Sequence, residues 1–461
     1  MPRNVSRHIA PQDDASRDAQ GFSHAFTTLR QLAEDALSHA RKKGATAADV
    51  DVSEGFGQSV TVRCGAVENI EHNRDKGLSV SVYVGQRQGH ASTSDFSGRA
   101  IRETVEAALD IARFTAEDTC AGLPDPELLM RETMDLRLHH PWALSVENAI
   151  SIAQRAEAAA FAMDKRIRNS EGASVSTQQS RFVAANSLGF SGGYPVSRHS
   201  IACSVIAGEG DGMQRDDWYA TCRDAAHLET PESVGARAAH RAVARLGARK
   251  IGTGQFPVVF EAPLAAGLLG HLVQATSGGA LYRRASFLVD ALEKPIFPAF
   301  VTLRERPHIP GALASTPFDN DGVRTRDRDV VRDGVLMGYF LGVYSGRKLG
   351  LPTTGNAGGS HNLILEPGPH DLDGLLREMG RGLLVTELLG HGVNYVTGDY
   401  SRGAAGFWVE NGEITHPVEE ITIAGNLKDM FRSIRAIGRD VHIRGSKQTG
   451  SILMDGMTVA G

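Results

Sequence analysis

Apolar positions in the first half of the chain recur at helical spacing, then alternate, then return to helical spacing, and this order occurs twice. Within Phe22–Lys43 the stripe Phe26, Leu29, Leu32, Ala33, Ala36 and Leu37 predicts an amphipathic helix. Alternating runs at Ser59–Val62 and Leu78–Val84 predict strands, and Ser97–Phe114 returns to helix with Ile101, Val105, Ala108, Leu109 and Ala112 on one face. A second set opens with a helix at Ser145–Met163. It continues through strand runs at Ser180–Ser187 and Ser200–Gly208 and closes with a helix at Thr230–Leu246. Gly77–Phe96 and His199–Tyr219 hold equivalent places in the two sets. The pattern predicts a duplicated helix/antiparallel-sheet/helix unit over 22–116 and 145–248, with the proline-bearing stretch Leu123–Trp142 as connector.

The pattern changes at Arg249–Gln255, a basic, glycine-bearing hinge. Phe256–Phe260 reads as a buried strand and Pro263–Ala275 as a helix. From Ala314 onward short strands alternate with glycine-rich turns, interrupted by one helical stretch at Asp371–Gly380. The expected class is α+β. An N-terminal domain of duplicated units spans 22–250, and a mainly β, barrel- or sandwich-like C-terminal domain spans 254–461. A chain of 461 residues exceeds what one core usually supports, which also favours two domains.

Ala314–Asn362 is the densest stretch. Asp321-Gly322 and Asp333-Gly334 are turn dipeptides, each followed by a strand-like run, with Val335–Val343 the stronger. Ser345–Leu349 predicts a helical turn that Gly350 closes in the left-handed region. Thr353–Gly359 is a glycine-rich loop whose backbone can approach a ligand, a peptide strand or a partner subunit closely.

Composition narrows the class. Charged residues make up 22% and hydrophobic ones 41%, an ordinary balance for a soluble protein. The net charge of −5 argues against broad electrostatic binding of nucleic acid. No apolar run approaches a membrane span, and residues 1–21 lack the apolar core of a secretory signal and read as a disordered tail. Cys64, Cys120, Cys203 and Cys222 form no CxxC pair, which suits a reduced, cytoplasmic chain.

Ala314–Asn362, Leu268–Leu288 (LLGHLVQATSGGALYRRASFL) and Arg444–Gly461 (RGSKQTGSILMDGMTVAG) together resemble the TldD/PmbA proteins, on the PmbA (TldE-like) side. The likeness runs from about Phe22 to the C-terminus and is densest beyond Phe260. It implies a cytoplasmic, two-domain subunit of a metallopeptidase. The catalytic partner in that family, TldD, carries HExxxH on the helix entering the C-terminal domain, with two imidazoles on zinc, a carboxylate base, and a later cysteine completing the site. The matching window here is Gly270-His271-Leu272-Val273-Gln274-Ala275. Both ligand positions, Gly270 and Ala275, lack donor atoms, His271 stands where the base would be, and no cysteine follows Cys222. The resemblance therefore implies no catalytic residue and no metal in this chain, with zinc held by a TldD-like partner.

His271 alone on an apolar helix reads first as a hydrogen-bonded core or interface residue, with peptide contact or proton transfer at a neighbouring subunit's site as the alternative. A dispersed metal site joining it to His361 and His391 has no spacing signal behind it. Gly189–Gly193 fits G-x-S-x-G but lies between strand runs, so a hairpin turn is expected. Gly208–Gly212 likewise reads as a turn, Asp319–Gly322 has too few ligands for a calcium loop, and Arg324–Asp333 reads as a solvated strand pair or interface salt-bridge set.

Ser277–Tyr282 and Thr353–Gly359 are the two glycine-rich loops. Turns are the default reading. The alternative is backbone pairing with an extended peptide, which carries no side-chain preference. Candidates for peptide or partner contact are His271, Gly278, Gly279, Tyr282, Tyr344, Gly355, Asn356, Gly358 and Gly359. Three functions remain open: a non-catalytic subunit completing a chamber for unfolded peptides (microcin-type maturation, antitoxin turnover), a self-sufficient hydrolase, and a regulatory binding protein such as a DNA gyrase modulator. A homodimer in the partner's absence is a further expectation.

Overall fold

The computed structural model describes residues 21–132 and 134–461. Apart from Gly21, the tail expected over 1–21 lies outside the described residues.

The N-terminal elements run α1 (Phe26–Lys42), β1 (Ala47–Arg63), β2 (Ala66–Val84), β3 (Arg87–Thr93) and α2 (Gly98–Phe114), then α3 (Val146–Met163), β4 (Ile167–Asn186), β5 (Ser191–Gly192), β6 (Pro195–Ala207), β7 (Gln214–Cys222) and α4 (Pro231–Ala244). Both stretches run helix, strands, helix, the second carrying the additional short strand β5. Each set ends its strands in an antiparallel hairpin, Leu78 opposite Thr93 in the first and His199 opposite Cys222 in the second. Sheet order is β3-β2-β1-β4-β6-β7, with β5 beside β4.

Two compact units divide the chain. One holds the described residues through Phe56 with Asn73–Thr115 and Ser180–Tyr194, and the other holds Gly57–His72, Ala116–Gln179 and Pro195–Gly461. In the first, Leu29, Ala33, Ala36 and Ala40 of α1 and Ile101, Val105, Ala108 and Leu109 of α2 bury against Val50, Val52, Val80 and Val82. In the second, α3 and α4 cross through small residues. A Cβ on Gly235 would lie 1.8 Å from the Ala156 carbonyl oxygen, so only glycine permits the approach. Ser97, Ser145 and Thr230 cap α2, α3 and α4 by accepting from the backbone N–H three residues on.

From residue 254 the elements are β8 (Gly254–Phe260), α5 (Ala262–Ala275), α6 (Gly278–Tyr282), β9 (Leu303–Glu305), β10 (Arg328–Arg332), β11 (Val335–Leu336), α7 (Val343–Leu349), β12 (Leu363–Leu365) and α8 (Leu372–Met379). They continue with β13 (Gly382–Leu389), β14 (Asp399–Glu410), β15 (Glu413–Asn426), α9 (Leu427–Arg432), β16 (Ile434–Ile437), β17 (Lys447–Gln448) and β18 (Ile452–Ala460). Strands β8, β13, β14, β15 and β18 close on themselves, because β15 pairs with β18 as well as with β14. The barrel alternative is the one observed. A second, five-stranded sheet runs β11-β10-β9-β12-β17.

One expected strand fails. Of Val335–Val343 only Val335 and Leu336 are strand. Tyr339, Phe340 and Leu341 are buried in a core loop, and Phe340 exchanges backbone hydrogen bonds with Thr276 and Gly278. An unbroken apolar run marks burial without fixing the backbone, and Gly338 and Gly342 let it turn inward. Gly350 does close α7 in the left-handed region, at φ 66°. Gly189–Gly193 lies in the β4–β5 hairpin, and Gly210–Gly212 is a 3₁₀ turn between β6 and β7. No helix among the described residues is long and apolar enough to cross a membrane.

Candidate functional site

Strand β8 feeds α5 directly, and Ala265, Leu268, Leu269, Leu272 and Ala275 turn the helix's apolar face into the barrel-side core. Gly270 and His271 occupy the part-exposed side. The space above Gly270 belongs to Lys447 of β17, whose Cε would lie 3.6 Å from a Cβ built on the glycine. Nδ1 of His271 and the Tyr395 hydroxyl are 2.8 Å apart, and the Tyr400 ring stands edge-on at 5.8 Å. Burial, with Arg402 nearby, pulls His271 down to about 4, so the imidazole is neutral near pH 7. Burial pushes the Tyr400 phenol up to about 12. Burial also lowers Lys447, which forms no ion pair among the described residues and reaches only the Ser446 hydroxyl at 3.4 Å. The side chains gathered here are an imidazole, two phenols and an amine, around a glycine and a buried alanine.

The glycines of 277–282 prove to be helix and packing. Ser277 precedes α6 with its hydroxyl donating to the Gln274 carbonyl, and the Gly278 N–H donates to the Phe340 carbonyl at 2.9 Å, so this N–H is used within the chain. A Cβ on Gly278 would lie 2.2 Å from the Ser345 hydroxyl of α7, whereas one on Gly279 would meet only the mobile end of Arg283 at 3.2 Å. Tyr282 and Tyr344 stack edge-to-face at 5.9 Å. Tyr344 donates to Asp118 at 2.7 Å, and Lys348 holds the other oxygen of that carboxylate at 3.0 Å. The Cys120 N–H, Tyr344 and Lys348 together bring Asp118 down to about 2.

Thr353–Gly359 is an irregular loop as read, with positive φ at Gly355, Gly358 and Gly359. Its organiser is Glu305 of β9, 1% exposed, which sequence reasoning did not single out. Glu305 pairs with Arg328 at 2.6 Å and accepts from the Asn356 amide at 2.9 Å and the His361 N–H at 2.8 Å. Asn356 also donates to the Gly359 carbonyl and accepts from Thr354, so this buried amide holds the loop's shape. A Cβ on Gly355 would crowd the Arg324 carbonyl at 3.2 Å and one on Gly358 the Asn320 amide at 2.5 Å; Gly359 faces open space. Arg328, in the paired strand β10 of the Arg324–Asp333 run, is little exposed, and its guanidinium lies 4.9 Å over Phe340.

His361 is buried, its Nε2 2.8 Å from the Gly355 carbonyl, while His391 is exposed in the β13–β14 loop. No three His, Cys, Asp or Glu side chains among the described residues meet in a metal-holding cluster. Asp319 accepts from the N–H groups of Asp321, Val323 and Ala357, as a turn does. All four cysteines are free, and burial pushes the Cys203 thiol up to about 12 and Cys222 up to about 11. Lys447 and Tyr395 reach the α5 window from distant segments, and no spacing rule in the sequence points to either.

The chain matches known proteins along most of its length. Residues 48–112, 139–246 and 253–461 match, in turn, domain 1, the central domain and the C-terminal domain of the PmbA/TldA metallopeptidases. The chain is 50% identical over 435 residues to Metalloprotease PmbA of Escherichia coli O157:H7, covering 94% of this chain and 97% of that protein. It is 47% identical to a Haemophilus influenzae PmbA homolog over 94% of this chain and 96% of that one. Among solved structures, a Bacteroides thetaiotaomicron protein described as a candidate modulator of DNA gyrase superposes with a TM-score of 0.89 at 30% identity, covering 94% and 98% of the two chains. TldE of Thermococcus kodakarensis shares the fold, with a TM-score of 0.82 at 20% identity over 93% and 100%. The chain belongs to the PmbA/TldD metallopeptidase family.

Proposed function

We propose that this chain is the accessory subunit of a two-chain cytoplasmic peptidase, completing a chamber for small unfolded proteins and peptides while a TldD-like partner supplies zinc and the general base. The observation that carries this reading is the α5 window: Gly270 lies under Lys447, His271 is engaged by Tyr395, and Ala275 is buried. These residues do not fit zinc. The cation needs three or four convergent N, S or carboxylate donors, and an ammonium beside Gly270 would repel it.

What remains for this chain's own residues is positioning. The neutral His271 and the Tyr395 phenol give the window hydrogen-bonding groups without charge. Tyr282 and Tyr344 supply aromatic surface close by on α6 and α7. Mixing the purified chain with a TldD-like chain tests the proposal. We expect unfolded peptide to be cleaved at least tenfold faster by the mixture than by either chain alone, with a stable complex on gel filtration. No complex and no gain in rate would overturn it.

A further inference from the structure

A cavity of about 690 Å³, partly open to solvent, lies beside the edge strand β7, away from the α5 window residues. Most of its charged side chains are already matched. Arg241 holds Asp216 at 2.9 Å and Glu261 at 2.7 Å; Arg245 reaches Asp216 at 3.5 Å and Glu387 at 2.5 Å; Arg215 reaches Glu171 at 3.3 Å. Two are not. Arg444 and Asp217 line the same wall, feel each other's charge, and make no ion pair or side-chain hydrogen bond with any described residue.

Arg444 is nevertheless held firmly. Its guanidinium carbon lies 3.8 Å from the Trp218 ring centre and 4.0 Å from that of Tyr219. Its Nη2 is buried with no hydrogen-bond partner. A guanidinium stacked on aromatic rings keeps its N–H edge for hydrogen bonds, and that edge is the geometry a carboxylate accepts through two parallel hydrogen bonds. Holding a cation out of water without a counter-ion costs free energy, which a bound anion would recover. Asp217 precedes Trp218 on β7 and is exposed, leaving a carboxylate free for a cation. One unpaired charge of each sign on one cavity wall is the complement of a zwitterion. The volume falls within the range of about 300–1,000 Å³ usual for small-molecule pockets.

We propose that this cavity binds a short zwitterionic peptide, its carboxylate on the edge of Arg444 and its ammonium on Asp217. The inference rests on the peptide-handling reading above and gives that reading a second site, one that recognises chain ends and not sequence.

Titration calorimetry on this chain alone, without a partner, tests it with trialanine, N-acetyl-trialanine, trialanine amide, the doubly capped peptide and inorganic phosphate. We expect trialanine to bind, and blocking either end or introducing Arg444→Met to weaken binding at least tenfold. Asp217→Asn should weaken trialanine but leave N-acetyl-trialanine unchanged, because that ligand has no ammonium to lose. Arg444→Lys keeps the charge without the planar fork and should restore only part of the affinity. Equal binding of the doubly capped peptide, unchanged binding in both variants, or phosphate binding more tightly than trialanine would overturn the proposal. Should Arg444→Met fail to fold, Asp217→Asn on its exposed site carries the same test. Absence of trialanine binding with intact activation of the partner defeats this inference alone; trialanine binding without activation defeats the accessory-subunit reading alone.

Discussion

Nδ1 of His271 lies 2.8 Å from the hydroxyl of Tyr395, which places the imidazole of the α5 window on a phenol reached from the loop between β13 and β14. Burial, with Arg402 nearby, makes the ring a poor proton acceptor. Its folded value of about 4 lies below the ordinary 6.5, so the unfolded chain binds the proton more readily between those limits. Stability should therefore be intact above pH 6.5, fall as pH drops towards 4, and lose about 1–2 kcal/mol from this group after allowance for its remaining solvent contact. NMR titration of His271, with urea unfolding at pH 7 and pH 4.5 for the wild type and His271→Gln, measures it. The variant should lose part of the pH dependence.

Gly278 marks a contact between α6 and α7. Gly278→Ala should destabilise the chain by about 1–3 kcal/mol, because its methyl would overlap the Ser345 side chain. Adding Ser345→Gly should recover much of that loss in a double-mutant cycle read by chemical denaturation. Gly279→Ala, which meets only the far end of Arg283, should be within about 0.5 kcal/mol of wild type.

Glu305 ties Arg328, Asn356 and His361 into one buried cluster. Glu305→Ala leaves the Arg328 cation, itself little exposed, without its carboxylate and should cost about 3–5 kcal/mol. Asn356→Asp should also be destabilising, since it sets a second carboxylate against Glu305. Urea midpoints of both variants check this, and a wild-type midpoint for Glu305→Ala would contradict it.

Thiol labelling separates the cysteines. Cys64 is exposed, whereas Cys203 is buried with its thiol pushed up to about 12. A disulfide reagent at pH 8 should modify Cys64 in the native chain within minutes and reach Cys203 only on unfolding.

Helices α2 to α5 were legible nearly to the residue. Their apolar stripes repeat at 3.6-residue spacing, and Ser97, Ser145 and Thr230 announce three of the starts. Parts of several strands were legible too, Leu78–Val84 in β2 and Phe256–Phe260 in β8 among them, but their full extents were not. Ala66–Lys76 is paired β2 backbone with every residue exposed, so no alternation of apolar and polar positions marks it. Val335–Val343 failed for the opposite reason: it is apolar throughout, which signals burial and not extension. At the candidate site the sequence showed the missing donors at Gly270 and Ala275. It could not show Lys447 above that glycine, Tyr395 beside His271, or Arg444 against the Trp218 and Tyr219 rings, because each contact joins segments far apart in the chain.

Elemental analysis of zinc in the purified chain, alone and in complex with a TldD-like partner, tests the accessory-subunit account most directly. We expect well under 0.1 zinc per chain alone and about one per pair in the complex, since the α5 window offers too few convergent donors for tight binding. One tightly held zinc per isolated chain, accompanied by peptide hydrolysis, would contradict it.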